Sequence, residues 1–261
     1  MEVSYISESD NCRAVRLKAL KPGSTDSAEG MQIRSCTKCG AQETQTIPKL
    51  EKEHSDLYIE GVSVEDVITY FNEVCLDAEY GASASSSLVQ KWTEPIYYYY
   101  QGNYTQQDIV VLERFVAELN SLEGFPGIHE SDNWGEANLD IYFCDPDEFP
   151  YYVGDWAYGQ NLDGAVSFWY NNNEIYYATI CYSDEMRQYT RNSVILEEIY
   201  NGLGPIQDTV LREDSIIYQY FTEPQDLTDV DWLILKLLYH EDMKCGYTAS
   251  QCEKVIRKLY Y

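Results

Sequence analysis

The sequence predicts an α+β protein, with a capped amphipathic helix, a strand, a second capped helix, several strands and then three helices. Ser63-x-x-Asp66 is a capping box, and Val67, Ile68, Phe71 and Val74 follow at helical spacing, so a helix is expected over 64–78. Ile96–Tyr100 then reads as a strand. Thr105-x-x-Asp108 repeats the capping signal ahead of Ile109, Leu112, Phe115, Val116 and Leu119, and Gly124-Phe-Pro-Gly127 stops that helix. Asn138–Cys144 alternates as a strand, and Ala165–Tyr170 and Glu174–Tyr182 flank Asn171-Asn-Asn173, a hairpin turn. Helices are expected over Arg191–Gly202, from the Leu227-Thr-x-x-Asp231 cap through Tyr239, and over Thr248–Tyr260. This order implies a sheet covered mainly on one side.

Eighteen basic and 44 acidic residues give a net charge of −26, which disfavours phosphate backbones and anionic membranes as partners. Nucleic acid is therefore not expected. The longest apolar stretch, Trp232–Tyr239, is interrupted by Lys236 and is far short of the ~20 residues a spanning helix needs. Met1-Glu2-Val3-Ser4 lacks the basic and then apolar pattern of a secretory signal. Residues 1–54 carry 8 basic and 8 acidic side chains and one tyrosine, so the whole acidic excess and the other 24 tyrosines fall on 55–261. That break divides the chain into a small module, 1–54, and a body, 55–261.

The stretch richest in chemistry is Ile195-Leu-Glu-Glu-Ile-Tyr-Asn-Gly-Leu-Gly-Pro-Ile-Gln-Asp208, followed by Asp214-Ser-Ile-Ile-Tyr-Gln219 and Leu227-Thr-x-x-Asp231. With Leu237–Gly246 and Lys91-Trp-Thr-Glu-Pro-Ile96, these words resemble the bacterial domain-of-unknown-function family 2927, most strongly over 88–261. The resemblance implies a zincin-like, metzincin-like mixed sheet with covering helices. Metzincins carry His-Glu-x-x-His-x-x-Gly-x-x-His and then a Met-turn: two imidazoles share a helical face, a glycine turns the chain, and a third His closes the metal. Laid over this sequence, the ligand positions become Glu197, Asn201 and Gln207, the general base Glu198, the turn glycine Gly204, and the Met-turn Ser215–Ile217. None of the three histidines is present, and amide oxygens are poor zinc ligands. No cofactor is expected in the body. A hard-ion site from Glu197, Gln207 and Asp208, joined by Asp132, Asp140 or Asp145, is the metal alternative. The structural alternative makes Glu197 and Glu198 a solvated helix face.

The resemblance thus implies a degenerate peptidase fold that recognises a peptide, a glycan or a protein. The runner-up is a hydrolase with a carboxylate site at Glu197, Glu198 and Asp208.

The small module carries Cys12, Cys36-x-x-Cys39-Gly40 and His54, the ligand types of a Cys₃His structural zinc. A disulfide between two of the three cysteines and free thiols are the other chemical states open to it. Arg34–Gly40 with Thr46-Ile-Pro48 and His54 resembles a module of secreted Gram-positive proteins, which implies a cell-surface or extracellular location. In the body, Cys144 with Cys181 and Cys245 with Cys252 are candidate pairs. Tyr97–Tyr100, Tyr151-Tyr152, Trp156, Tyr158, Trp169-Tyr170 and Tyr176-Tyr177 put rings on both faces of strands, a pattern suited to carbohydrate or peptide binding. Asp145, Asp147, Glu148 and Asp155 among them favour cationic partners over anionic ones.

Overall fold

The structure, a computed structural model, describes the backbone of residues 15–19, 30–36 and 42–47, and residues 55–76 and 88–260. The chain divides into two compact units, Met1–His54 and Ser55–Tyr261. In the first, β1 (Val15–Ala19), β2 (Gly30–Cys36) and β3 (Gln42–Ile47) form an antiparallel sheet in that order. Cys36 ends β2 opposite Val15. Cys12, Cys39 and His54 lie outside the described residues, and the proposed zinc set with them.

In the second unit the helices begin where local capping chemistry places them. Ser63 and Asp66 exchange hydrogen bonds at the start of α1 (Val64–Leu76). Thr105 and Asp108 do the same for α2 (Gln106–Leu119), and Thr228 and Asp231 for α5 (Asp229–Tyr239). The last helix, α6 (Ala249–Leu259), opens on a Thr248–Gln251 box. The helix expected from Arg191 starts three residues earlier, as α4 (Gln188–Gly202), after Arg187 in extended backbone.

The sheet is mostly parallel. Strands β6 (Ile128–Glu130), β5 (Ile96–Gly102), β7 (Leu139–Cys144) and β9 (Glu174–Ser183) run parallel in that order, and β8 (Gly164–Asn171) pairs antiparallel with the other side of β9. The short β4 (Lys91–Trp92) pairs parallel with the beginning of β9. Parallel neighbours need crossovers, and α2 supplies one between β5 and β6. Asn172 and Asn173, at φ 52° and 66°, make the tight β8–β9 turn with both residues left-handed, as a primed hairpin turn requires. Among the described residues β8 has no second strand partner.

Strand alternation sorts the two faces. Ile96, Tyr98, Leu139, Ile141, Phe143, Ala178, Ile180 and Tyr182 belong to the main core with the buried faces of α1, α2, α4 and α5. On the other face a smaller core of Cys144, Ala165 and Cys181 sits under Phe149, Val153 and Ala157, from α3 (Phe149–Val153) and the turn after it. Cys144 and Cys181 are neighbours there, yet they are free thiols, as are Cys245 and Cys252, so neither candidate pairing of the body is formed.

Candidate functional site

The site suggested by the sequence is built on α4 and the turn that leaves it. α4 packs across β8 and β9, with Tyr182 donating to the Ile195 carbonyl at 3.1 Å. Its far end is anchored by Arg191, whose guanidinium meets the fully buried Asp108 carboxylate of α2 at 3.0 Å. Its C-terminal carbonyls are satisfied by side chains: Trp92 Nε1 donates to Gly202 at 2.9 Å and the Tyr239 hydroxyl to Leu203 at 2.7 Å. The chain then turns at Gly204, at φ +128°, where a β-carbon would lie 2.5 Å from the Gln90 carbonyl oxygen. Glycine is required here on both counts.

Glu197 and Asn201 are one turn apart and share a helical face. Glu197 is half-buried, and burial together with the negative charges of Asp208 and Asp163 pushes its carboxyl up to about 8. It is thus held largely protonated at neutral pH. Asn201 is buried, and its Oδ1 accepts no hydrogen bond among the described residues. Glu198 is buried against β8, where a β-carbon on Gly164 would sit 2.6 Å from its carboxylate oxygen and 2.5 Å from Val194. Beyond Gly204 the Gln207 amide donates to the Val74 carbonyl of α1 at 3.2 Å, and Asp208 returns towards Glu197. The strand-like end of this segment is fixed by Thr209, which donates to the Ile217 carbonyl at 2.8 Å and to Glu73 at 2.5 Å.

The turn at Ser215–Ile217, where the resemblance would put a Met-turn, is a buried hydrogen-bonded node. Asp231 accepts from Ser215 Oγ at 2.7 Å, Tyr70 Oη at 3.2 Å and the Ile216 amide at 3.2 Å while capping α5. This fixes residues 214–218 against the core.

The structure brings together Glu197 and Asp208 and adds Asp163, an exposed residue at the entry to β8 that sequence reasoning missed. Nothing local marks Asp163, because its proximity comes from β8 crossing α4. Asp140 does not join, since strand alternation sends it to the opposite face, where Tyr177 and Trp134 bond it. Asp145 is used locally, capping the turn at Pro146–Glu148. Among the described residues no group of three or more His, Cys, Asp or Glu side chains is arranged to hold a metal. Two grooves, of about 790 Å³ around Trp232 and about 410 Å³ around Lys91, contain none of these residues. Lys91 is occupied structurally, donating to Leu238 and Met243 carbonyls at 2.7 and 2.6 Å.

The family described as protein of unknown function (DUF2927) matches residues 64–258. The chain belongs to this family. The DUF2927 match begins at α1, upstream of the residue-88 limit suggested by the sequence words, and so takes in the helix whose Val74 and Glu73 hold the exit of α4. No curated protein matches the chain.

Proposed function

We propose that the DUF2927 body is a catalytically inactive, metallopeptidase-like recognition domain that takes an extended polypeptide along the outer edge of β8. The observation that carries this reading is Glu197. In a zincin-like arrangement the helix face at 197 and 201 would present imidazoles, whereas here it presents a protonated carboxyl and an amide, which do not make a zinc site. β8, which has no second strand partner among the described residues, crosses the same helix, and a sheet edge recognises peptides through backbone hydrogen bonds without any reaction. An extracellular or cell-surface location is part of this proposal and rests on the resemblance of the N-terminal module.

Selection from a random peptide library followed by amide hydrogen exchange tests it. Bound peptides are expected to protect Gly164–Asn171 and the 202–208 turn. Selected peptides that leave both segments exchanging as before would overturn the reading.

One observation favours a second reading. A carboxyl held protonated near neutrality beside another carboxylate is the arrangement of a general acid with its base. In that case Glu197 donates the proton, Asp208 or Glu198 activates water, and Glu197→Gln abolishes a hydrolytic turnover that Asn201→Ala leaves measurable.

A further inference from the structure

The face of the sheet opposite α4 carries an unusual carboxylate. Asp140, in the middle of β7, is 3% exposed. Its Oδ2 accepts from the Tyr177 hydroxyl and from Trp134 Nε1 at 3.2 Å, but its buried Oδ1 accepts nothing among the described residues. Carboxylates buried this deeply are ordinarily matched by a cation, and none of the ion pairs in the described structure involves Asp140.

Rings surround it. Tyr177 lies against Trp169 with centroids 5.2 Å apart, Tyr142 stacks on Tyr152 at 3.9 Å, and Trp134, 58% exposed on a short surface turn, covers the outer side. α3 covers this face around Cys144 and Cys181 and reaches Tyr142 through Tyr152. Residues 115–186, which supply every one of these groups, contain 14 acidic residues and no lysine or arginine. Asp132 and Glu136 flank Trp134, and Asp145, Asp147, Glu148 and Asp155 are exposed near α3. Among the described residues none of these carboxylates is in an ion pair, so the surface favours cations and repels anions.

We propose that this face binds a basic polypeptide segment and seats one arginine guanidinium among Trp134, Tyr142 and Tyr177, with Asp140 Oδ1 as acceptor. Guanidinium suits the site better than ammonium, because it is planar, weakly hydrated, stacks on ring faces and offers paired in-plane donors to a carboxylate. Trp134 swings outward to admit it and then stacks on it. The exposed acidic residues hold the remaining basic side chains of the segment. Trp169 belongs to β8, but the acceptor and the rings that hold the guanidinium come from β7, β9 and the Trp134 turn, so the site does not depend on the β8-edge reading.

The test is calorimetric titration of the full-length protein with a synthetic arginine-rich peptide and two analogues, one with lysine and one with neutral citrulline at the arginine positions. The arginine peptide is expected to bind, the lysine peptide at least several-fold more weakly, and the citrulline peptide not at all. Asp140→Asn and Trp134→Ala should each weaken the arginine peptide about tenfold or more, while Glu65→Gln, a control on the exposed face of α1, changes nothing. Should Asp140→Asn fail to fold, the exposed rings Trp134→Ala and Trp169→Ala carry the test. Equal binding of the arginine and lysine peptides with no effect of Trp134→Ala would reduce the attraction to net charge and overturn the proposal. Retention of the citrulline peptide, or binding of a neutral oligosaccharide at the same rings, would overturn it as well.

Discussion

Glu197 and Glu198 are adjacent and chemically identical in sequence, and the fold gives them different environments. Glu197 faces Asp208 and Asp163 and is pushed up to about 8, whereas Glu198 is packed against Gly164. An unfolded Glu197 ionises near 4.5 while the folded one stays protonated until about 8, so the fold loses stability progressively as pH rises between those values, and loses nothing further above them. Glu197→Gln, which cannot ionise, should leave stability at pH 4 nearly unchanged and raise it by up to a few kcal/mol at pH 8, as read from urea unfolding across the range. A variant whose pH profile parallels the parent's would remove Glu197 as the source. Glu197, Asn201, Gln207 and Asp208 were legible as a group because a helix, a glycine turn and a fixed spacing are local. Asp163 was not, since only the crossing of β8 over α4 brings it near. Gly164 is the residue that permits that crossing, and Gly164→Ala should separate α4 from β8 and destabilise the protein by about 1–3 kcal/mol.

At the scale of elements, α4 is fixed at both ends, by Asp108–Arg191 and by the capped turn at Gly204. Removing Arg191 alone, as Arg191→Met, leaves the Asp108 carboxylate buried without its cation and should cost about 3–5 kcal/mol in chemical denaturation. The double variant Asp108→Leu with Arg191→Met should recover part of this, although Asp108 also caps α2. Capping boxes at Thr105–Asp108 and Thr228–Asp231 were readable because both partners lie within one turn of chain. The parallel order of β6, β5, β7 and β9 was not, because pairing is decided between segments tens of residues apart and the two- and three-residue strands β4 and β6 carry no periodicity of their own. The start of α4 has no signal in the sequence, because Arg187 makes no side-chain cap.

Across the whole molecule the chain joins a neutral module carrying Cys36 and an acidic DUF2927 body, and the two call for different tests. If zinc on Cys12, Cys36, Cys39 and His54 holds the module, as the ligand types suggest, a chelator should expose residues 10–54 to proteolysis and leave the body's melting transition in place. A module equally resistant with and without chelator would count against zinc. The body is proposed to recognise a polypeptide without metal-dependent chemistry, and mass-spectrometric cleavage profiling of a peptide library by the full-length protein, with and without added Zn²⁺, Ca²⁺ or Mg²⁺, tests this. The same uncut library is expected under every condition, for the parent and for Glu198→Gln alike. Cleavage that appears with one of these metals and disappears in Glu198→Gln would contradict it.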